Sequence, residues 1–274
     1  LFYLHERRTY RVVNNQARQG IRSRVVPRID RKSLGDSILS QTTIPWIRSR
    51  NVGYKVARMK PNTRFHAFFD NVNVSTYLTP KIIELVKNSS SDPTTNETPY
   101  VVGEVVIGQT SGCRLLVALP NDGGQYNPYS GIETLLPESY ASQTDILNVD
   151  ISAMAETKNP DYYGNIQVGE ILLGQTSGAR AVVKDRKVIS NNVGETSGTL
   201  FIPNPKEDSN PRFATGTRTL RFTTNEENSK LPGTVDSSAE TTYEARGTLQ
   251  TVRENILAVR NAEIVRDTVS EDRV

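Results

Sequence analysis

The chain has 274 residues, with 33 lysines and arginines against 30 acidic residues, a formal net charge of +3 and a hydrophobic content of 36%. A single cysteine, Cys113, excludes an internal disulfide, and the two histidines, His5 and His66, argue against zinc sites and imidazole-based triads. No apolar run approaches the roughly 18 residues that span a bilayer. We therefore expect no membrane insertion, no metal and no cofactor. Since the chain begins with Leu1, we expect either a processed product or a piece of a longer polypeptide.

The N-terminal part, residues 1–38, is basic and lacks a sustained apolar period. Its first 32 residues contain nine lysines and arginines: Arg7, Arg8, Arg11, Arg18, Arg22, Arg24, Arg28, Arg31 and Lys32. Such an arm suits an acidic protein face, solvent or nucleic acid. Because nucleic-acid binding usually brings stacking aromatics across a fold, we expect an irregular connector arm that is solvated or docks on protein, with Arg22 and Arg24 as interface candidates.

Residues 39–95 have the pattern of the first half of a β-sandwich followed by a polar linker. Positions 52, 54 and 56 carry apolar side chains in strand alternation, and residues 64–69 alternate again. Pro61 and Asn62, which lie between the two runs, are turn residues. The pattern therefore predicts two strands that form either a hairpin or a corner of the sandwich.

Residues 96–192 contain a duplicated unit, because VGEVVIGQTSGCRLLV at residues 102–117 returns as VGEILLGQTSGARAVV at residues 168–183. Both copies hold the loop Gly-Gln-Thr-Ser-Gly. A phosphate-binding P-loop needs a lysine after its second glycine and a helix behind it, whereas apolar, strand-like residues flank these loops. The loops are predicted to be turns of a repeated small β-hairpin or barrel unit. Three environments remain open for the glutamine, threonine and serine side chains of these loops: solvent, a neighbouring subunit or a sugar.

Two other kinds of chemistry have candidate residues in the chain. Glycoside hydrolysis needs two carboxylates about 5–9.5 Å apart, and the sequence offers Asp70, Glu104, Glu133, Asp150, Asp161 and Glu170. Glu104 and Glu170 hold the same position in the two repeats, so we expect structural roles for them. Tyr126 and Tyr129 lie in a loop rich in glycine and proline and are candidates for contacting a host glycan or for anchoring a protein interface.

Residues 193–236 are predicted to form the second half of the sandwich, and residues 237–274 a C-terminal connector made of a strand and a short helix. One face of that helix is expected to pack on a partner or on the next domain, since apolar residues recur at steps of three, four and three: Leu249, Val252, Ile256 and Val259. In the run WIRSR, Arg48 and Arg50 share one strand face, and we expect them to pair with carboxylates across strands or subunits.

Four runs of the chain resemble large virion structural proteins of tailed phages, especially T4-like cyanophages. They are IPWIRSRNVGYKVARMKPNTRFHAFFDNVNVS, the VGEILLGQTSGARAVV type of repeat, GTLFIPNPKEDSNPRFATGTRTLRFTT and YEARGTLQTVRENILAVRN. The family pattern resembles Ile-Pro-aromatic-x-Arg-Ser-Arg, then Lys/Arg-Pro-Asn-Thr-Arg, then Phe-Phe-Asp-Gly. Here Asn71 replaces that glycine, and Met59 stands where leucine is more usual. The resemblance covers most of residues 20–265 and carries no catalytic motif.

The resemblance implies a structural component of a phage virion tail, associated with the baseplate or a fibre, that assembles as a homo-oligomer with other tail proteins and is not an enzyme. The alternative is a receptor-binding adhesin module of a tail fibre that holds host glycans. From the order of the motifs we infer a mainly β, Ig-like sandwich. Its early strands, at about residues 42–77, are expected to pair with late strands at about residues 198–224, around the inserted repeats.

Overall fold

The computed structural model describes residues 16–89, 93–122, 124–130, 134–155 and 161–273. The chain divides into two compact units, residues 1–42 with 249–274 and residues 43–248. The described strands are β1 (Gln16–Thr43), β2 (Arg50–Val56), β3 (Arg64–Phe69), β4 (Val72–Asn73), β5 (Leu78–Pro80), β6 (Ile82–Val86), β7 (Val105–Gly108), β8 (Arg114–Leu116), β9 (Ile146–Asn148), β10 (Ile171–Gly174), β11 (Arg180–Asp185), β12 (Val188–Ile189), β13 (Thr196–Ile202), β14 (Gly216–Thr223), β15 (Ser238–Ala245) and β16 (Thr248–Arg273). A single-turn helix, α1 (Ile151–Ala155), and a 3-10 turn at Ser75–Tyr77 complete the described elements.

The larger unit contains a β-sandwich whose early and late strands pair as the motif order predicts. One sheet has the order β2-β13-β5 and the other β12-β3-β14-β15, with β4 beside β3. β2 pairs with β13 so that Val52 lies opposite Leu200, and β3 pairs with β14 so that Phe69 lies opposite Leu220. Because β2 and β3 belong to different sheets, the turn between them is a corner and not a hairpin. Asn62 in that turn has φ +47°, the left-handed conformation that asparagine tolerates.

The sandwich core is formed by the inward faces that the alternation predicts. Tyr54 and Phe222 contact each other across the two sheets with ring centroids 4.8 Å apart, and Phe69 meets Phe213 at the same distance. Leu200 and its neighbours on β13 complete the layer, with 2% of that side chain exposed. Aromatic pairs of this kind add to the area burial that stabilises a β-sandwich.

The two repeats form four adjacent strands, beginning at one edge, of a separate six-stranded sheet with the order β8-β7-β10-β11-β6-β9. Each repeat is a hairpin, β7 with β8 and β10 with β11, so the prediction of paired turns is confirmed. The hairpins join through β7 and β10, which run antiparallel with Gly108 opposite Leu172 and Val106 opposite Gly174. This pairing relates the two copies by an approximate twofold axis between β7 and β10.

The smaller unit is a two-stranded ribbon of β1 and β16. The expectation of an irregular arm is wrong from Gln16 onwards, because β1 is a strand throughout; residues 1–15 lie outside the described part. The short C-terminal helix is also wrong, since β16 is a strand over Thr248–Arg273. β-branched residues such as Val252 and Ile256 favour a strand, and pairing with β1 satisfies the backbone groups of β16 that a helix would satisfy internally.

Candidate assembly interface

The two Gly-Gln-Thr-Ser-Gly loops bind carboxylates that belong to the protein itself. In the first loop, the amides of Thr110 and Ser111 donate to Glu170 Oε2 at 3.3 and 3.0 Å, and Ser111 Oγ donates to the same oxygen at 2.9 Å. Glu170 comes from the second repeat and is 3% exposed. The loop therefore is the kind of amide-lined concavity that binds anions, and its anion is a glutamate of the other copy.

The second loop repeats this arrangement with the roles of the copies exchanged. The amides of Thr176 and Ser177 donate to Glu104 Oε2 at 3.1 and 2.9 Å, and Ser177 Oγ donates to Glu104 Oε1 at 2.8 Å. Glycine is required beside each carboxylate, because a Cβ on Gly108 would stand 2.5 Å from Glu170 Oε2. The loop of each repeat thus binds the glutamate of the other repeat. The structural role expected of both glutamates is confirmed.

The other described candidates for glycoside hydrolysis have structural contacts. Asp150 Oδ1 accepts from the amide of Ala153 at 3.0 Å and so caps the first turn of α1. Asp70 forms an ion pair with Arg218 at 3.0 Å. Glu133 lies outside the described residues, and the backbone carbonyl of Asp161 accepts from Arg114. Within the described ranges, no three histidine, cysteine or acidic side chains group in a way that could hold a metal ion.

The two tyrosines of the predicted glycan loop have different environments. Tyr129 packs against the small cluster of Ile82 and Leu136, and its hydroxyl donates to the Ile82 carbonyl at 2.7 Å. Burial raises the pKa of that hydroxyl well above its usual value. Tyr126 is half-buried and lines a polar cleft of about 930 Å³ together with Gln125 and Asn191. Only Tyr126 is therefore placed to contact a ligand.

The two arginines of WIRSR have different environments. Arg48 is exposed and precedes β2, whereas Arg50 is the first residue of β2 and is half-buried. Neither forms an ion pair with a carboxylate in the part of the chain that the structure describes. Pairing within the fold is therefore not seen there, and pairing across subunits stays a prediction.

The ribbon carries the largest group of exposed aliphatic side chains. Twelve of them are between 44% and 72% exposed: Ile21, Val25, Ile29, Leu34, Ile38, Leu39, Leu249, Val252, Ile256, Leu257, Val259 and Ile264. The sequence predicted four of these residues, Leu249, Val252, Ile256 and Val259, as an interface on a helix, but they lie on a strand. On the strand β16, Val252 and Ile256 lie on one face, while Leu249 and Val259 lie on the other, since side chains alternate.

Two cross-strand contacts show which residues of the ribbon share a face. Arg28 pairs with Glu263 at 3.6 Å, and Ser37 Oγ accepts from Asn255 Nδ2 at 3.2 Å. The contact with the higher residue number on β1 has the lower residue number on β16, so the two strands are antiparallel. The even residue Arg28 and the odd residue Ser37 both share a face with odd residues of β16, so the alternation shifts by one residue between them. Gly35, with φ +94°, lies in that interval and has the backbone typical of a glycine bulge.

The shift at Gly35 places aliphatic residues from both halves of β1 on one face of the ribbon. On β1, the odd-numbered residues before Gly35 and the even-numbered residues after it point to one side of the ribbon. The even-numbered residues of β16 point to the same side. We call this side the apolar face, and its aliphatic members are Ile21, Val25, Ile29, Ile38, Val252, Ile256 and Ile264. Sequence reasoning missed the members on β1, although the recurrence of Ile21, Val25 and Ile29 at steps of four was a usable signal.

The helices of the described chain are all too short to span a membrane. Comparison of the chain with protein-family models, with curated proteins and with solved structures gives no match.

Proposed function

We propose that the chain is a structural component of a phage virion tail, associated with the baseplate or a fibre, and that it acts through protein–protein assembly. The observation that carries this proposal is the ribbon, whose aliphatic side chains are exposed although the strands are long. The resemblance of four sequence runs to virion structural proteins of tailed phages supports the location in the virion. Other tail proteins and further copies of the chain are its proposed partners.

A ribbon of this kind needs a covering surface for physical reasons. Two-stranded sheets are marginally stable in water by themselves, and the described ribbon leaves twelve large aliphatic side chains exposed. Completing their burial contributes on the order of 10 kcal/mol before the costs of ordering and association. An assembly supplies that burial and so stabilises an element that the isolated chain leaves open.

The absence of enzymatic activity is part of the same proposal. The repeated loops, which were the best candidate for phosphate chemistry, are occupied by Glu104 and Glu170. Those two glutamates are thereby committed to backbone amides and serine hydroxyls. Turnover of a host surface polysaccharide by the purified protein would contradict this part of the proposal.

The location in the virion is tested on particles of the source phage. Mass spectrometry of purified particles is expected to detect peptides of the chain in a fixed ratio to known tail proteins. Immunogold labelling with an antibody against residues 43–248 is expected to mark the tail. Absence of the peptides from particles, or label confined to the capsid, would contradict the proposal.

The alternative function is binding of a host glycan in the cleft beside Tyr126. The cleft of about 930 Å³ offers an aromatic ring beside amide and carboxylate groups, among them Gln125, Asn191 and Asp122, and such a mixture suits a sugar. A glycan array separates the two functions. Binding that Tyr126→Ala removes, and that Arg48→Ala retains, would favour the adhesin, whereas no binding at high protein concentration favours assembly.

A further inference from the structure

The charges of the ribbon are distributed unevenly between its two faces. The first half of the side opposite the apolar face carries Arg22, Arg24, Arg28 and Lys32 with Asp30 and Glu263. On the apolar face, the charged side chains that the structure describes are two basic and two acidic, namely Arg31, Asp36, Glu254 and Arg266. A copy of the apolar face can therefore approach another without net charge repulsion, whereas two opposite faces would bring rows of arginines together.

The area of the apolar face suits a specific interface. β16 has 26 residues, and strands rise about 3.3 Å per residue and lie roughly 5 Å apart, so one face measures on the order of 800 Å². Standard protein interfaces bury about 800 Å² per partner. The face presents branched aliphatic side chains on both of its strands, and an isologous contact joins the same patch of two copies.

We propose that a second copy of this chain docks on the ribbon, apolar face against apolar face, to give a two-layered β-structure with the arginine-bearing sides outward. The proposal rests on the assembly function proposed above and names the partner of that surface. The one-residue shift at Gly35 is the feature that makes the pairing possible, because without it Ile21, Val25 and Ile29 would lie on the side opposite Ile38.

The first experiment measures the mass of the full chain by light scattering after size-exclusion chromatography over a range of concentrations. The wild type is expected to have the mass of two copies. Ile256→Glu, on the apolar face, is expected to weaken association at least 100-fold. Leu257→Glu is the matched control, because Leu257 is the next residue, is 48% exposed against 51% for Ile256, and lies on the other side.

The second experiment tests the role of the shift. Deletion of Gly35 moves the preceding part of β1 by one residue and sends Ile21, Val25 and Ile29 to the opposite side, so association should weaken at least tenfold. Gly35→Asn is the control, because asparagine tolerates positive φ and keeps the shift. Equal association in the deletion and the control would overturn the role assigned to Gly35.

The outcomes separate failure of self-docking from failure of the assembly function. A mass of three or more copies, or an equal loss of association in Ile256→Glu and Leu257→Glu, overturns the face-to-face pairing. A monomer whose ribbon is readily cut by trypsin overturns self-docking but leaves the surface open to a different protein of the assembly. A monomer whose ribbon resists trypsin overturns both, since the ribbon then needs no covering surface.

Discussion

Glu104 and Glu170 show how two distant residues hold the repeats together. Each carboxylate accepts from two loop amides and one serine hydroxyl of the other copy, and also from an amide in its own copy, Val101 for Glu104 and Gln167 for Glu170. Both carboxylates are buried while the loop residues that donate to them are half-buried or exposed, so each carboxylate depends on these donors to satisfy its oxygens.

Replacement of one glutamate should therefore destabilise the larger unit. Glu170→Ala leaves the amides of Thr110 and Ser111 without an acceptor, and we expect a loss of about 2–4 kcal/mol in the free energy of unfolding. Glu104→Ala should lose a similar amount because its contacts mirror those of Glu170. Chemical denaturation followed by circular dichroism measures the change. The control is Glu97→Ala, at an exposed position, and an equal effect of the control and Glu170→Ala would contradict the account.

Lys87 gives the molecule a pH dependence at alkaline pH. Its Nζ donates to the carbonyls of Thr98 and Arg180 at 2.6 and 3.0 Å, and to Asn96 Oδ1 at 3.2 Å. Burial lowers the pKa of Lys87 to about 8, against 10.5 in an unfolded chain. Between these values the unfolded chain binds more protons than the folded one, so this group makes stability rise with pH.

The prediction compares wild type with Lys87→Met at pH 7.5 and pH 9.5. The free energy of unfolding of the wild type should rise relative to that of the variant by roughly 1–2 kcal/mol, after allowance for solvent screening. The tyrosines titrate in both proteins and largely cancel in the difference. Parallel pH profiles of the two proteins would show that Lys87 has no lowered pKa in the fold.

At the level of the elements, β13 is the strand on which the sandwich depends, because it pairs with β2 on one side and with β5 on the other. Gly198 lies at its centre, and a Cβ there would stand 2.5 Å from the Thr79 carbonyl oxygen and 2.5 Å from the Tyr54 hydroxyl. The close approach of Tyr54 is what places its ring against Phe222.

Gly198→Ala should lower the stability of the larger unit by about 1–3 kcal/mol through overpacking, which corresponds to a fall in Tm of several degrees. Differential scanning calorimetry measures it. Ser197→Ala, at the neighbouring half-buried position, is the matched control and should shift Tm little. An unchanged Tm for Gly198→Ala would show that Tyr54 does not lie over this glycine.

The elements differ in how far the sequence determines them. The pairing of early with late strands followed from alternation and motif order, and the repeat hairpins followed from glycine-bounded polar loops between apolar runs. The binding of Glu104 and Glu170 by the loop of the other repeat could not be predicted. The sequence alone does not specify that β7 pairs with β10 about a twofold axis. The helix predicted over Leu249–Val259 was wrong because four positions at steps of three and four do not exclude a strand whose partner, β1, lies more than 200 residues away.

At the level of the whole molecule, the two units differ in where their stability comes from. The unit of residues 43–248 has its own buried cores, so its stability comes from burial within the unit. The ribbon of β1 and β16 has exposed aliphatic residues and lacks such a core among its described side chains. The low hydrophobic content of 36% fits a chain that obtains part of its burial from neighbouring molecules.

The most direct measurement for this account is a cryo-electron microscopy reconstruction, at side-chain resolution, of the tail of the phage from which we propose the chain comes. The account predicts that the chain is found in the tail and that Ile21, Val25, Val252 and Ile256 are covered by another protein chain. A tail that lacks the chain, or one in which these four side chains face solvent, would contradict the proposed assembly function.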